Sequence, residues 1–288
     1  MTERLRRSEL STPGSSEKML GKAAASQADL VFCDLEDSVA PAQKEGARKT
    51  VVGALTQLDW GHKTNAVRIN AVDTPWWRDD VTTVAPHAEV VIVPKVRTPD
   101  DVQAVDVLLS QTTDRPVALE VLIEEAEGLV NVEDIAQCSD RLEALIFGPG
   151  DFSASQGVRF AMAREANYPG DIWAYHRSRI VVAARAAGID AIDGPFANFR
   201  DADGYRTEAA RAAMIGFVGK WAIHPSQIEI ANDVFSPKPE EIQSARDIID
   251  AYESSDGAAG VGGVMIDAAT ARIMQGILRR ADMIERGR

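Results

Sequence analysis

Residues 144–155 read ALIFGPGDFSAS. The apolar run Ala144 to Phe147 has the length and composition of a buried strand, and Gly148-Pro149-Gly150 then turns the chain and presents a carboxylate, Asp151, before a polar stretch. Ending a buried strand on an acid is costly unless the acid has a partner or a use, because a charge taken out of water loses its hydration. The same pattern recurs along the chain. Short runs rich in β-branched residues at 9–12, 30–36, 66–70, 90–96, 117–124, 144–148, 190–194 and 217–223 alternate with longer alanine-rich stretches. Those stretches follow Gly14 and Pro41, start at Pro99, and cover DIWAYHRSRIVVAARAAG and DADGYRTEAARAAMIG, with prolines or acids near their starts and glycines near several ends, as helices prefer. Eight strands each followed by a helix predict an α/β chain folded as a (β/α)8 TIM barrel over 1–236, with a C-terminal helical lid extension over 237–288. A doubly wound open sheet is the alternative, but no glycine-rich stretch has the dinucleotide spacing; GPGDFS and GVGGV read as turns.

Composition limits the functional classes. The chain has 288 residues, 45% of them hydrophobic, enough for a sizeable core. It has no apolar run long enough to span a bilayer, and MTERLRRSEL lacks the apolar centre of a signal peptide, so a cytoplasmic protein without membrane contact is expected. A net charge of −13 argues against nucleic acid as a partner, since phosphate backbones need a basic surface. Cys33 and Cys138 lie far apart without a CxxC pairing and read as reduced, buried thiols.

In a (β/α)8 barrel the carboxyl ends of the strands build the active face. Here those ends carry Asp34, Glu36 and Asp37 (second strand), Arg68 and Asn70 (third), Lys95 (fourth), Glu124 (fifth), Asp151 (sixth), Asp193 (seventh), and Lys220 with His224 beyond it (eighth). Any one of these fits a structural ion pair or a solvated residue just past a strand; seven ends of eight point to chemistry. Glu124 and Asp151 stand on adjacent strands, and two converging carboxylates with room for water suit Mg2+ or Mn2+. Four scattered histidines without HxxxH or HExxH spacing exclude a zinc site of that kind, and there is no GxSxG elbow.

Several blocks in one order resemble a known family: DLEDSVAP (34–41), VRIN (67–70), VPKV (93–96), EVLIEEAEGLVNVEDI (120–135), FGPGDFSAS (147–155), IDGPF (192–196) and GKWAIHPSQI (219–228). They are similar to the citrate lyase β-subunit/HpcH-type aldolases, and among these to the malyl-CoA lyases, from RSEL near residue 7 to MIDAATARI near residue 273. The segment between Asp151 and YPGDIW is shorter than in longer members of that family. The resemblance implies a Mg2+-dependent lyase that interconverts malyl-CoA with acetyl-CoA and glyoxylate, in a homotrimer or homohexamer whose sites are completed between subunits. It assigns the metal to Glu124 and Asp151, the oxyanion to Arg68, and the base to Asp267 of a neighbouring chain. It favours a basic set for coenzyme A, for which Arg7, Lys18, Lys22 and Lys95 are the candidates, and Asp37 stands among the substrate-binding residues. Without the family, Asp267 is the N-cap of a final helix behind a flexible hinge at 254–263, and Arg68 pairs with neighbouring acids. A malyl-CoA thioesterase, a citramalyl-CoA or citryl-CoA lyase on the same scaffold, and a non-catalytic barrel are the alternative functions.

Overall fold

The computed structural model describes residues 4–159, 171–254, 259–261 and 264–287. Eight parallel strands close into a barrel: β1 (Ser8–Pro13), β2 (Leu30–Asp34), β3 (Thr64–Arg68), β4 (Val90–Val93), β5 (Ala118–Ile123), β6 (Leu142–Phe147), β7 (Asp190–Asp193) and β8 (Gly219–Ala222), with β8 pairing back onto β1. All eight predicted strands form. The helices between them include α1 (Glu17–Ala24), α2 (Lys44–Gln57), α3 (Trp77–Val84), α4 (Pro99–Thr112), α5 (Ala126–Val130), α6 (Val132–Ile135), α7 (Pro149–Ser155), α8 (Ala174–Ala187) and α9 (Ala202–Ile215). Pro99 opens α4 under a Thr98 capping box, and Gly188 and Gly216, at φ 75° and 113°, end α8 and α9 in the left-handed conformation that glycine adopts without penalty.

Two apolar layers hold the barrel. The inner one packs Leu30, Phe32, Ala66, Val90, Ile92, Ala118, Leu122, Ala144, Ile146, Ile192 and Trp221. The outer one joins the alternate residues of the same strands, such as Val31, Val67, Val91, Val121 and Leu145, to the helices. This period-two division decides which strand-end charges enter the barrel mouth. Asp34, Arg68 and Glu124 are in phase with the inner layer. Asp193 and Lys220 are in phase with the outer one: Lys220 Nζ reaches Asp193 Oδ2 at 2.6 Å and Glu208 Oε1 at 2.7 Å, and Arg177 Nε reaches Asp193 Oδ1 at 2.9 Å. These two strand-end charges are a buried structural ion pair, not part of the mouth. Asn70 likewise turns to Asp80, donating from Nδ2 at 2.6 Å, while His224 caps its own turn through Ser226 and stacks on Phe199.

Two expectations need correcting. GPGDFS opens a helix, α7, with Gly148 as its N-cap and Pro149 first inside it, instead of forming a turn alone. Part of the expected hinge is also structured, because β9 (Ala259–Val261) pairs antiparallel with β10 (Val264–Ile266); residues 255–258 and 262–263 of that stretch, and residues 160–167 of the short segment between Asp151 and YPGDIW, lie outside the described residues. Beyond the barrel, α10 (Ile228–Val234) leads to α11 (Pro239–Glu253), the β9–β10 hairpin and α12 (Ala268–Arg286). Helix α12 lies under the amino ends of the strands: Arg280 donates from Nε to the Phe235 carbonyl at 2.8 Å and also reaches the Val218 carbonyl, and Gly287 comes up against Leu5. Both cysteines are unpaired, Cys33 buried and Cys138 half-buried. Among the described residues no helix is long and apolar enough to cross a membrane.

Candidate active site

The mouth is built on a register pair. Asp34 and Arg68 are cross-strand partners at the ends of β2 and β3, and Arg68 donates side-on to Asp34, from Nε at 2.7 Å and Nη2 at 2.8 Å. Asp34 also receives the amides of Glu36 at 2.9 Å and Ser38 at 3.0 Å, so one carboxylate fixes both the arginine and the loop after β2. Lys44 closes that loop from α2, donating to the Leu35 and Glu36 carbonyls. These contacts hold Asp34 below the usual carboxylate range, against burial, with the Arg68 charge the largest favourable cause. Arg68 Nη1 faces Glu36 at 3.0 Å, and Lys95 Nζ meets the other Glu36 oxygen at 2.8 Å. Both are ion-pair contacts whose angles do not make hydrogen bonds, and burial raises Glu36. A guanidinium has five N–H donors. Two of them are hydrogen-bonded to Asp34, and a third nitrogen, Nη1, faces Glu36 in the ion pair.

Glu124, the first residue past β5, is 3% exposed and points into the mouth. One oxygen accepts from the Lys95 amide at 2.9 Å. Lys95 can aim that amide because its φ is 52°, a left-handed value that a non-glycine residue rarely adopts and that clusters at functional sites. The other oxygen lies against Gly148, where a Cβ would come within 2.5 Å of it. Burial, then the Glu36 carboxylate and, with a smaller effect, Asp151, push Glu124 up to about 8, against the opposing Arg68 charge. Asp151 enters from the first turn of α7, a helix anchored by Phe152 against Phe147, Trp173 and His176 and by Ser155, which accepts the Ala126 amide at 2.9 Å. Among the described residues Asp151 has no hydrogen bond or ion pair. Two carboxylates facing one space, one desolvated and one unpartnered, form a donor set that fits a hard divalent cation keeping most of its water shell. No group of three or more His, Cys, Asp or Glu among the described residues forms a fuller cage.

The HpcH/HpaI aldolase/citrate lyase family model matches residues 7–225, which spans the whole barrel and every mouth residue above. The chain belongs to that family. An L-malyl-CoA/β-methylmalyl-CoA lyase of Cereibacter sphaeroides is 40% identical over 96% of this chain and 95% of its own. A (3S)-malyl-CoA thioesterase of the same species is 38% identical over 91% and 89%. Mycobacterium tuberculosis CitE, solved with magnesium, acetoacetate and coenzyme A, superposes with a TM-score of 0.80 at 32% identity, covering 96% and 97% of the two chains.

Within this member of the HpcH/HpaI aldolase/citrate lyase family, the structure brings Arg68, Glu124, Lys95 and Asp37 together, with Asp37 Oδ1 3.4 Å from Lys95 Nζ, and places Asp151 on the adjoining helix. It does not bring Arg7 to them. Arg7 precedes β1 and is held at the opposite face by Asp29, at 2.8 Å from Nε and 2.7 Å from Nη2, and by Ser236. Lys18 and Lys22 are exposed on α1, Lys18 in its first turn on the mouth side. Asp267 caps α12, accepting from the Ala269 and Thr270 amides at 3.0 and 2.9 Å, which lower its pKa. That helix lies beneath the barrel, away from its own chain's mouth. Asp34 and Glu36 were visible in sequence only as strand-end acids; Asp34 stands in register with Arg68, which the even spacing from Leu30 and Phe32 signals.

Proposed function

We propose that this chain is a Mg2+-dependent carbon–carbon lyase that reversibly cleaves a 3-hydroxyacyl-CoA such as malyl-CoA to acetyl-CoA and glyoxylate. The observation that carries the reading is the inward convergence of Glu124 and Arg68 on one mouth, with the unpartnered Asp151 entering from α7. Glu124 and Asp151 would hold the ion, which when bound supplies a Lewis acid to the carboxylate and carbonyl of the 2-oxoacid. In the cleavage direction a base takes the 3-hydroxyl proton, the C2–C3 bond breaks, and its electron pair passes into the thioester as an enolate. The Arg68 donors not bonded to Asp34 would meet that oxygen as it gains charge and stabilise it without rearrangement. A proton then returns to carbon and releases acetyl-CoA.

Asp267 of a neighbouring subunit is the proposed proton carrier, since its own helix lies on the far side of its barrel. Residues 237–288 act in this reading as the lid of that neighbour, in a homotrimer or homohexamer. Lys18 is the best placed of the lysines to meet a coenzyme A phosphate. Lys22, one turn further along α1, is a weaker candidate, and Lys95 is committed to Glu36 and Asp37.

Incubation with malyl-CoA, with and without EDTA, tests the proposal. Metal-dependent appearance of acetyl-CoA and glyoxylate in equal amounts is expected. The likeness to a malyl-CoA thioesterase supplies a second reading; malate and free coenzyme A as products would establish that one instead.

A further inference from the structure

Beneath Arg68 the barrel holds contacts that the proposed reaction does not use. Trp221, on β8, turns its ring inward and packs against Phe32 with centroids 4.4 Å apart. The Arg68 guanidinium carbon stands over both rings, 5.6 Å from Trp221 and 5.9 Å from Phe32. The Trp221 Nε1–H donates to Oε2 of Glu9 at 2.8 Å, from across the β1–β8 closure. Glu9 is fully buried, and its other oxygen has no hydrogen-bond partner, nor has one oxygen of its neighbour Glu120. Burial, with the Glu120 charge added, keeps Glu9 well above the usual carboxylate range.

The side-on pair with Asp34 and the Glu36 contact hold the edge of the Arg68 guanidinium. The two aromatic faces below bear on its tilt. Phe32 has no polar anchor. Trp221 has one, and a ring torsion about an sp³–sp² bond is soft unless its far end is tied. We infer that Glu9 is a positioning residue for Arg68, acting through Trp221: the Glu9–indole bond sets the ring plane, and the ring plane sets the guanidinium tilt. An aliphatic residue would fill the same interior with less loss of hydration; the carboxyl gains the Trp221 N–H and the nearby Arg6 charge in return.

The inference rests on the proposed role of Arg68 as oxyanion donor, so Arg68→Lys is measured beside it. Glu9→Leu is expected to lower kcat for CoA-ester cleavage about tenfold with KM within about twofold, as loss of an interaction felt only in the transition state does. Glu9→Gln, which keeps an acceptor, stays within about twofold of the parent, and Trp221→Phe, which keeps a ring but loses the N–H, matches Glu9→Leu. In an Arg68→Lys background Glu9→Leu should cost less than about twofold, because the group it positions is gone. The Trp221 indole N–H resonance, assigned by its loss in Trp221→Phe, should move in Glu9→Leu. An unchanged kcat in Glu9→Leu, or an equal tenfold loss in both backgrounds, overturns the inference while leaving Arg68 catalytic. A parent-like kcat in Arg68→Lys overturns the reading of Arg68 itself. Should Glu9→Leu not fold, Trp221→Phe carries the same cycle.

Discussion

A methyl group added at Gly148 would meet both the Cβ and Oε2 of Glu124 at 2.5 Å, so the glycine that ends β6 is a condition for the carboxylate on β5. Gly148→Ala is expected to cost on the order of 1–3 kcal/mol in stability, as forced repacking does, and to abolish turnover by displacing Glu124. A thermal melt paired with the cleavage assay checks both. Glu124→Gln and Asp151→Asn separate fold from function: activity falls at least about 100-fold, by analogy with loss of one preorganised group, while the melting temperature holds, because the amide oxygen introduced by Glu124→Gln can still accept from the Lys95 amide and Asp151 has no hydrogen bond among the described residues to lose. Full activity of either variant in metal-depleted buffer would sink the metal assignment. Arg68→Lys exchanges a planar fork for a point charge and loses the side-on pair with Asp34. A kcat loss of about 100-fold with KM little changed is expected, and an unchanged kcat would make Arg68 structural.

At the scale of the element, the charges of β7 and β8 show what sequence reading misses. Asp193 and Lys220 sit at strand ends as Glu124 and Arg68 do, yet they face the helices, because Ile192 and Trp221 beside them take the inward positions. The eight strands, the Pro99 helix and the inward acids were legible from apolar runs and punctuation. The outward pair was legible in principle from period-two counting on short four-residue strands, and was obscured because charge at both phases looks alike without a known partner. The Lys95 backbone and the fixing of Arg7 by Asp29 depend on loop conformation and on residues 22 positions apart, which local pattern does not encode. Asp193→Asn should leave kcat nearly intact but cost on the order of 1–3 kcal/mol, since Lys220 and Arg177 lose one buried carboxylate and keep Glu208, with Asp171 also on Arg177. Lys220 and Arg177 hold the Asp193 pKa below its unfolded value, so its contribution is present above roughly pH 4, the ordinary value for an aspartate, and is lost as the pH falls through the lower folded value. Urea melts of parent and variant should therefore converge as the pH drops below that point.

For the whole molecule, the C-terminal helix and the mouth occupy opposite faces of one barrel. Asp267→Ala and Glu124→Gln should each be nearly inactive, and mixing them under subunit exchange should restore part of the activity if α12 of one chain serves the mouth of the next. Exchange without recovery, or an active monomer, would leave Asp267 as a helix cap only. The same opposition of faces bears on assembly. A chain that offers its lid below and needs one above makes a head-to-tail contact, and such contacts either close on themselves or run on as filaments. In an open row the last barrel always stays uncovered, whereas a ring leaves none so. Dilution that opens the ring should then cost activity in discrete steps, one site for each broken joint.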